Sequence, residues 1–248
     1  MGSRTRTTET GKLETVARAG EISTERANAS LAALGLIKDG MIIGLGSGST
    51  VKLFIRLLAE KVKKEDIELY IVSSSFDTSL FAASLGLVEV PLYQFTPDLS
   101  VDGADVVFPD KSLIKGGGGC LLREKLVDYY AREYVIIVDH GKLRPSFEGE
   151  LSIPVEVHPL AYKHVEKEIS RIYGARVGMR LLSEKKVGPV ITDNGGFLID
   201  VVLEWGEDLG ILEEKMKTIP GVLETGIFSV KKPSKIFVGY PEGVRVLA

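Results

Sequence analysis

One cysteine, Cys120, and three histidines, His140, His158 and His164, are all that 248 residues provide for soft metal ligation or disulfide chemistry. A lone thiol excludes an internal disulfide and a cysteine-cluster metal site. That usage fits a reducing compartment, so the cytoplasm is the expected location. The histidines lack the spacing of a zinc-binding helix, and no metal site or other cofactor is expected. There is no excess of positive charge: 31 Lys and Arg stand against 34 Asp and Glu, for a net charge of −3. Such a balance argues against nonspecific nucleic-acid binding, which wants a basic face. No apolar run is long enough to span a bilayer, so no membrane partner is expected. Residues 1–11 are rich in Thr, Arg and Ser without the apolar core of a secretory signal. Residues 1–22 are expected to be a disordered tail.

A hydrophobic content of 44% is enough for a sizeable core, and the length allows one large α/β domain or two smaller ones. Thr24 to Ile37 reads as a helix and Met41 to Leu45 as a short buried strand. Val51, Phe54, Ile55, Leu58 and Val62 keep helical spacing. Leu69–Ser73 is the next strand, Phe76–Leu85 the next helix, and Val88–Leu92 and Leu99–Val101 are short strand candidates. Tyr134–Val138 is apolar throughout. Strands and helices in alternation, with continuous apolar strands, mean a parallel sheet covered on both faces. The pattern changes near Leu151. Ile153–Val157 alternates, Tyr162–Tyr173 is helical, and Val177–Leu182, Val187–Thr192 and Phe197–Leu203 read as antiparallel strands with a turn at Asn194-Gly195-Gly196. Leu209–Ile219 is a helix, and the tail after Ile227 is strand-like and suited to rejoining the first sheet. The expected architecture is α/β. Residues 23–149 and 225–248 form a Rossmann-like parallel-sheet catalytic domain, and 150–224 form a smaller α+β domain.

Three loops carry the chemistry. Gly46-Ser47-Gly48-Ser49-Thr50 lies between a strand and a helix, where crossovers bring ligands to the carboxyl edge of a parallel sheet. Its backbone N–H groups and three hydroxyls make a phosphate cradle. Val51 stands where a dinucleotide fingerprint would have a third small residue, and no lysine follows as in a Walker loop. The second loop is Val101-Asp102-Gly103-Ala104-Asp105, and the third is Lys115-Gly116-Gly117-Gly118-Gly119, followed by Arg123-Glu124-Lys125. Four glycines in a row bury no side chain, but they let backbone approach a ligand closely. Leu122, Leu126 and Tyr129 then fall at helical spacing. Glu124 is in the opening turns of that helix, where the macrodipole favours its carboxylate form. The bland alternative makes Asp102 and Asp105 turn caps and Glu124 and Lys125 solvated surface charges. Ser73-Ser74-Ser75 follows another strand and either adds hydroxyls to the same edge or caps the next helix through Ser75. Lys142, after Asp139-His140-Gly141, can reach a phosphate at the sheet edge or simply sit in solvent.

Together these segments resemble the type A ribose-5-phosphate isomerases. The likeness continues through Pro154-Val155-Glu156-Val157, Ile191-Thr192-Asp193-Asn194-Gly195 and Ile219-Pro220-Gly221-Val222, all in the family's order. The resemblance implies a metal-independent aldose–ketose isomerase of the pentose phosphate pathway, interconverting D-ribose 5-phosphate and D-ribulose 5-phosphate through a cis-enediolate. It implies Glu124 as the proton-shuttling base and substrate contacts from Ser47, Gly48, Ser49, Thr50, Asp102, Gly103, Ala104, Asp105, Lys115, Gly116, Gly117, Gly118 and Lys142. Lys115 is the expected cation for the enediolate, with Asp102 first and Asp105 second for ring opening and oxygen proton traffic. It also implies a small domain that contributes to a homodimer or homotetramer. The family commonly has Glu where this chain has Val106, and often Ala where it has Gly119.

Two other classes compete. A sugar-phosphate-sensing repressor domain would carry a helix-turn-helix, and the segment before Thr24 is too short and irregular for one. A nicotinamide dehydrogenase would need the missing third glycine and a ribose-binding acid after the second strand.

Overall fold

The computed structural model describes residues 23–181, 187–206 and 208–248. The expected tail, 1–22, and residue 182, the end of an expected strand, lie outside the described residues. The elements in order are α1 (Thr24–Leu34), β1 (Ile42–Leu45), α2 (Ser49–Glu65), β2 (Tyr70–Ser73), α3 (Phe76–Ser84), β3 (Val88–Glu89), β4 (Leu99–Asp102), β5 (Val106–Val107), β6 (Leu113–Ile114), α4 (Leu121–Tyr130) and β7 (Glu133–Asp139). There follow β8 (Glu150–Val157), α5 (Tyr162–Tyr173), β9 (Arg176–Met179), β10 (Phe197–Glu204), α6 (Leu209–Lys217), β11 (Val222–Thr225), β12 (Ile227–Phe228), β13 (Lys235–Tyr240) and β14 (Gly243–Leu247).

Among the described residues the largest sheet has seven strands in the order β14-β13-β7-β4-β1-β2-β3. Its pairings are parallel except for the β13–β14 hairpin at one edge. Strand β7 shows why its run is apolar throughout. Val135 and Ile137 join the core formed with α1 and α2, while Tyr134, Ile136 and Val138 pack on the opposite face with Val107, Leu113 and Phe228. A strand buried on both faces has no solvent side on which to alternate. From β1 the chain winds outward to β2 and β3, then returns to β4 on the other side of β1. That reversal between β1 and β4 is a topological switch point, where loops at the carboxyl ends splay apart and leave a crevice.

The segment after β7 builds a four-stranded antiparallel sheet, β11-β8-β10-β9, with α5 and α6 contributing to its core. Strand β12 pairs with β6 in a small sheet, and β13 rejoins the large one beside β7. The strand expected over Val187–Thr192 is absent. Only the single bridges Leu181–Pro189 and Ile191–Phe197 occur there, with Val187 and Ile191 exposed.

Helix α4 forms where expected. Leu126 is exposed and Leu122 and Tyr129 are half-buried, whereas Leu121, Glu124, Lys125, Val127 and Asp128 are buried. Its inner face carries charge, against the usual amphipathic rule.

Candidate active site

On β4, Ser100 and Asp102 are two residues apart and so share a face of the sheet. Helix α4 lies close against that face because its strand neighbours are small. A Cβ on Gly44 would sit 2.7 Å from Val127 Cγ1 and 2.8 Å from Ser100 Oγ. Glu124 and Asp128, one helical turn apart, are therefore presented to Ser100 and Asp102. Ser100 Oγ donates to Asp128 Oδ1 at 2.7 Å. Lys115, leaving β6, threads between strand and helix. Its Nζ donates to the Gly103 carbonyl at 2.5 Å and pairs with Asp102 Oδ2 at 2.9 Å and Glu124 Oε2 at 3.4 Å. Only the Gly103 contact has hydrogen-bond geometry; the two carboxylate oxygens stand at ion-pair distance. Asp102 is 0%, Lys115 2% and Glu124 6% exposed, which rules out the solvated-charge reading of Glu124. Lys125, also buried, reaches Glu213 at 2.7 Å, Glu224 at 2.9 Å and the Ile227 carbonyl at 2.7 Å.

One ammonium cannot balance three buried carboxylates. Burial pushes Glu124 up to about 8; Lys115 opposes the rise, and the charges of Asp102 and Asp105 add to it. Burial, reinforced by Asp102, drives Asp128 well above the ordinary carboxylate range. Burial alone would lower Lys115, but Asp102, Glu124 and Asp128 push it upward, so it stays charged. The helix dipole expected to favour ionised Glu124 is outweighed, because removal from water is the larger effect.

Above this cluster opens a pocket of about 160 Å³ at the switch point. One end is formed by the start of α2. Gly48, at φ 100°, caps this helix without a side-chain hydrogen bond, and no acidic residue occupies the first turn. The first N–H groups of α2 and the positive end of its dipole are left for an anion. Lys142 and Arg26 bring cationic side chains to the same pocket. Arg26 donates through Nη1 to Ser49 Oγ at 3.1 Å and through Nε to Asp139 Oδ2 at 3.3 Å.

Ser47, Gly48, Ser49, Thr50, Gly103, Ala104, Asp105, Lys115, Gly116, Gly117, Gly118, Glu124 and Lys142 all line the pocket. Asp102 does not. It lies beneath the floor, where Oδ1 accepts from the N–H groups of Ser47 at 3.2 Å and Gly103 at 2.6 Å. A Cβ on Gly46 would fall 1.7 Å from that oxygen, so only glycine lets the phosphate loop rest on Asp102. Asp105 is the exposed aspartate on the wall, its Oδ2 accepting from Gly117 N at 2.7 Å. The Ser47 hydroxyl is turned to Ser74 and Ser75, each at 2.9 Å, so its loop offers backbone more than that side chain. Ser75 also caps α3, accepting from Thr78 N at 3.1 Å. Sequence reasoning missed Arg26, Ile137, Val138 and Asp139 on the pocket wall.

The family model for Ribose 5-phosphate isomerase A (phosphoriboisomerase A) matches residues 70–243. The chain is 44% identical over 216 residues to Ribose-5-phosphate isomerase A of Methanocaldococcus jannaschii, covering 87% of this chain and 93% of that relative. This chain belongs to the ribose 5-phosphate isomerase A family. The relative from Archaeoglobus fulgidus is 41% identical over 91% of this chain and 99% of its own length. The solved M. jannaschii structure superposes with a TM-score of 0.85 at 42% identity, over 90% of this chain and 97% of that one. A D-ribose-5-phosphate isomerase solved in complex with phospho-erythronic acid gives a TM-score of 0.86 at 39% identity, over 91% and 99%.

One departure from the ribose 5-phosphate isomerase A pattern has a structural answer. Val106 has no carboxylate to hold the aspartate loop, but it pairs with Ile114 and packs in the adjoining apolar core. The Asp105 N–H donates to the Ile114 carbonyl at 2.9 Å, so the loop is held by backbone. Cys120 is beside Glu124; burial, then that charge, pushes its thiol up to about 11. It stays protonated and is no competing base.

Proposed function

We infer that the chain interconverts D-ribose 5-phosphate and D-ribulose 5-phosphate through a cis-enediolate, with Glu124 as the base. Family membership supports the reaction. The residue roles rest on one observation above all: Glu124 and Lys115 meet in a buried cluster at the foot of a pocket whose far end suits an anion. The substrate phosphate takes the α2 N-terminus, Lys142 and Arg26. That remote binding energy aligns the reacting carbons with Glu124.

Glu124 removes the proton on C2 and returns it to C1. When Glu124 takes the proton it becomes neutral, and the negative charge moves to the enediolate oxygens. Lys115 loses one anionic partner as the new anion forms beside it, so its stabilisation is concentrated in the transition state. Asp102 holds Lys115 and both glycine-containing loops in place. Asp105, on the wall, serves ring opening and proton transfer between O1 and O2. The phospho-erythronic acid bound by the relative has a planar carboxylate on a phosphorylated chain, the shape of an enediolate's two cis oxygens. We further propose that residues 150–224 form a smaller domain that mediates self-association into a cytoplasmic homodimer or homotetramer.

The test is to mix the protein with D-ribose 5-phosphate, EDTA and no nucleotide and follow ketose formation. Ketose is expected to accumulate to equilibrium. No ketose from folded protein would refute the assignment, and activity restored only by a divalent metal would replace the lysine in it.

A further inference from the structure

We propose that Arg180 is a positioning residue for this isomerisation. From the antiparallel-sheet segment it clamps the glycine loop, and through that loop it holds Asp105 at the pocket.

Arg180 follows β9, and its N–H donates to the Leu198 carbonyl at 2.8 Å, so its backbone is tied to β10. Its guanidinium makes a fork with Asp200 of β10: Nε donates to Oδ2 at 2.9 Å, and Nη2 donates to Oδ1. That fork sets the plane of the group and leaves Nη1 aimed at the loop. Nη1 donates to the carbonyls of Gly116 and Gly117, each at 2.9 Å. Gly117 in turn donates its N–H to Asp105 Oδ2 at 2.7 Å. The path therefore runs Asp200, Arg180, two peptide carbonyls, one N–H and Asp105.

The loop needs an outside clamp. Glycines have no side chains to pack, and each samples more backbone conformations than any other residue. Gly116 is held at φ 100°, and a Cβ on Gly117 would stand 2.7 Å from Asp105 Oδ1, so the loop is pressed against the carboxylate it orients. A planar fork that binds a carboxylate on one side and two carbonyls on the other is specific to arginine; lysine has neither the plane nor the reach. Arg180 is not on the pocket wall, so its influence passes through the loop. The inference rests on the reading of Asp105 as a substrate contact, and the test separates the two.

The experiment is a double-mutant cycle on the whole chain with Arg180→Gln and Asp105→Asn, measuring kcat and KM for D-ribose 5-phosphate and inhibition by inorganic phosphate. Arg180→Gln is expected to lower kcat/KM about 10²-fold, the scale of a small misplacement at a site. Its phosphate inhibition constant is expected to match wild type, a split that general unfolding would not produce. Added to Asp105→Asn, it is expected to cause little further loss, because both break one path. Free guanidinium is expected to restore part of the activity of Arg180→Ala and none of the activity of Asp105→Asn. Should Arg180→Gln fail to fold, Asp200→Asn, which frees the fork, replaces it in the cycle with the same expected non-additivity. Full activity of Arg180→Gln beside an impaired Asp105→Asn, or losses that multiply, would overturn the role of Arg180 alone. Full activity of Asp105→Asn would overturn the reading of Asp105, and the path with it.

Discussion

Replacing Glu124 by Gln should stabilise the folded protein more and more as pH rises. The rise of this carboxyl from 4.5 to about 8 corresponds to about 5 kcal/mol against ionising it in the folded chain, at about 1.4 kcal/mol per tenfold. Between those values the folded chain keeps the proton and the unfolded chain releases it. The stability from the neutral acid is therefore complete below the unfolded pKa and is lost as pH climbs through the folded one. Gln keeps the size and cannot ionise. Lys115 remains charged across this range, so the difference between the two proteins reports Glu124 together with its effect on the neighbouring Asp128. Urea denaturation followed by circular dichroism, from about pH 5 to about pH 9, should show the variant's advantage growing from under about 1 to about 5 kcal/mol. A constant gap, or a variant that weakens relative to wild type with rising pH, would mean that Glu124 is ionised against Lys115 throughout. The same shift predicts that kcat/KM rises with pH with a midpoint near 8, because only the ionised carboxylate is a base.

Gly46→Ala would place a methyl 1.7 Å from Asp102 Oδ1. It should cost about 3 kcal/mol in stability by overpacking and displace Asp102 from Lys115, as thermal melts and turnover assays would register. Lys142→Ala and Arg26→Gln should each raise KM about 10-fold and weaken inhibition by inorganic phosphate with kcat nearly kept, the pattern of lost uniform binding. A fall in kcat with KM unchanged would move either residue from the phosphate to the reacting carbons.

The alternating strands and helices of the large sheet were legible because a strand buried on both faces leaves a continuous apolar run, as in Tyr134–Val138. The loops at Gly46–Thr50, Asp102–Asp105 and Lys115–Gly118 were legible because clustered glycine and charge serve a ligand better than a core. Other features were hidden by tertiary choice. Periodicity placed α4 but did not show its inner face, where Glu124, Lys125 and Asp128 are buried while Leu126 is exposed. The warning was three charges at positions 124, 125 and 128, one turn of helix. The sequence ranked Asp102 ahead of Asp105 for ring opening but did not show their burial; strand pairing buries the first and leaves the second at the rim. Arg26 carries no local signal, because its approach to Ser49 depends on how α1 lies across the sheet. The Val187–Thr192 pattern suited a strand, but Val187 and Ile191 are exposed and only single bridges form.

Hydrogen exchange at the reacting carbons tests the role of Glu124 most directly. In deuterated water, the wild-type protein should isomerise D-ribose 5-phosphate and place solvent deuterium at C1 of the ketose and C2 of the aldose. Folded Glu124→Gln should still bind substrate, while turnover and deuterium incorporation fall together by about 10²–10⁴-fold, the contribution of a general base. Incorporation by Glu124→Gln at the wild-type rate would contradict the account, because another group would then be moving the proton.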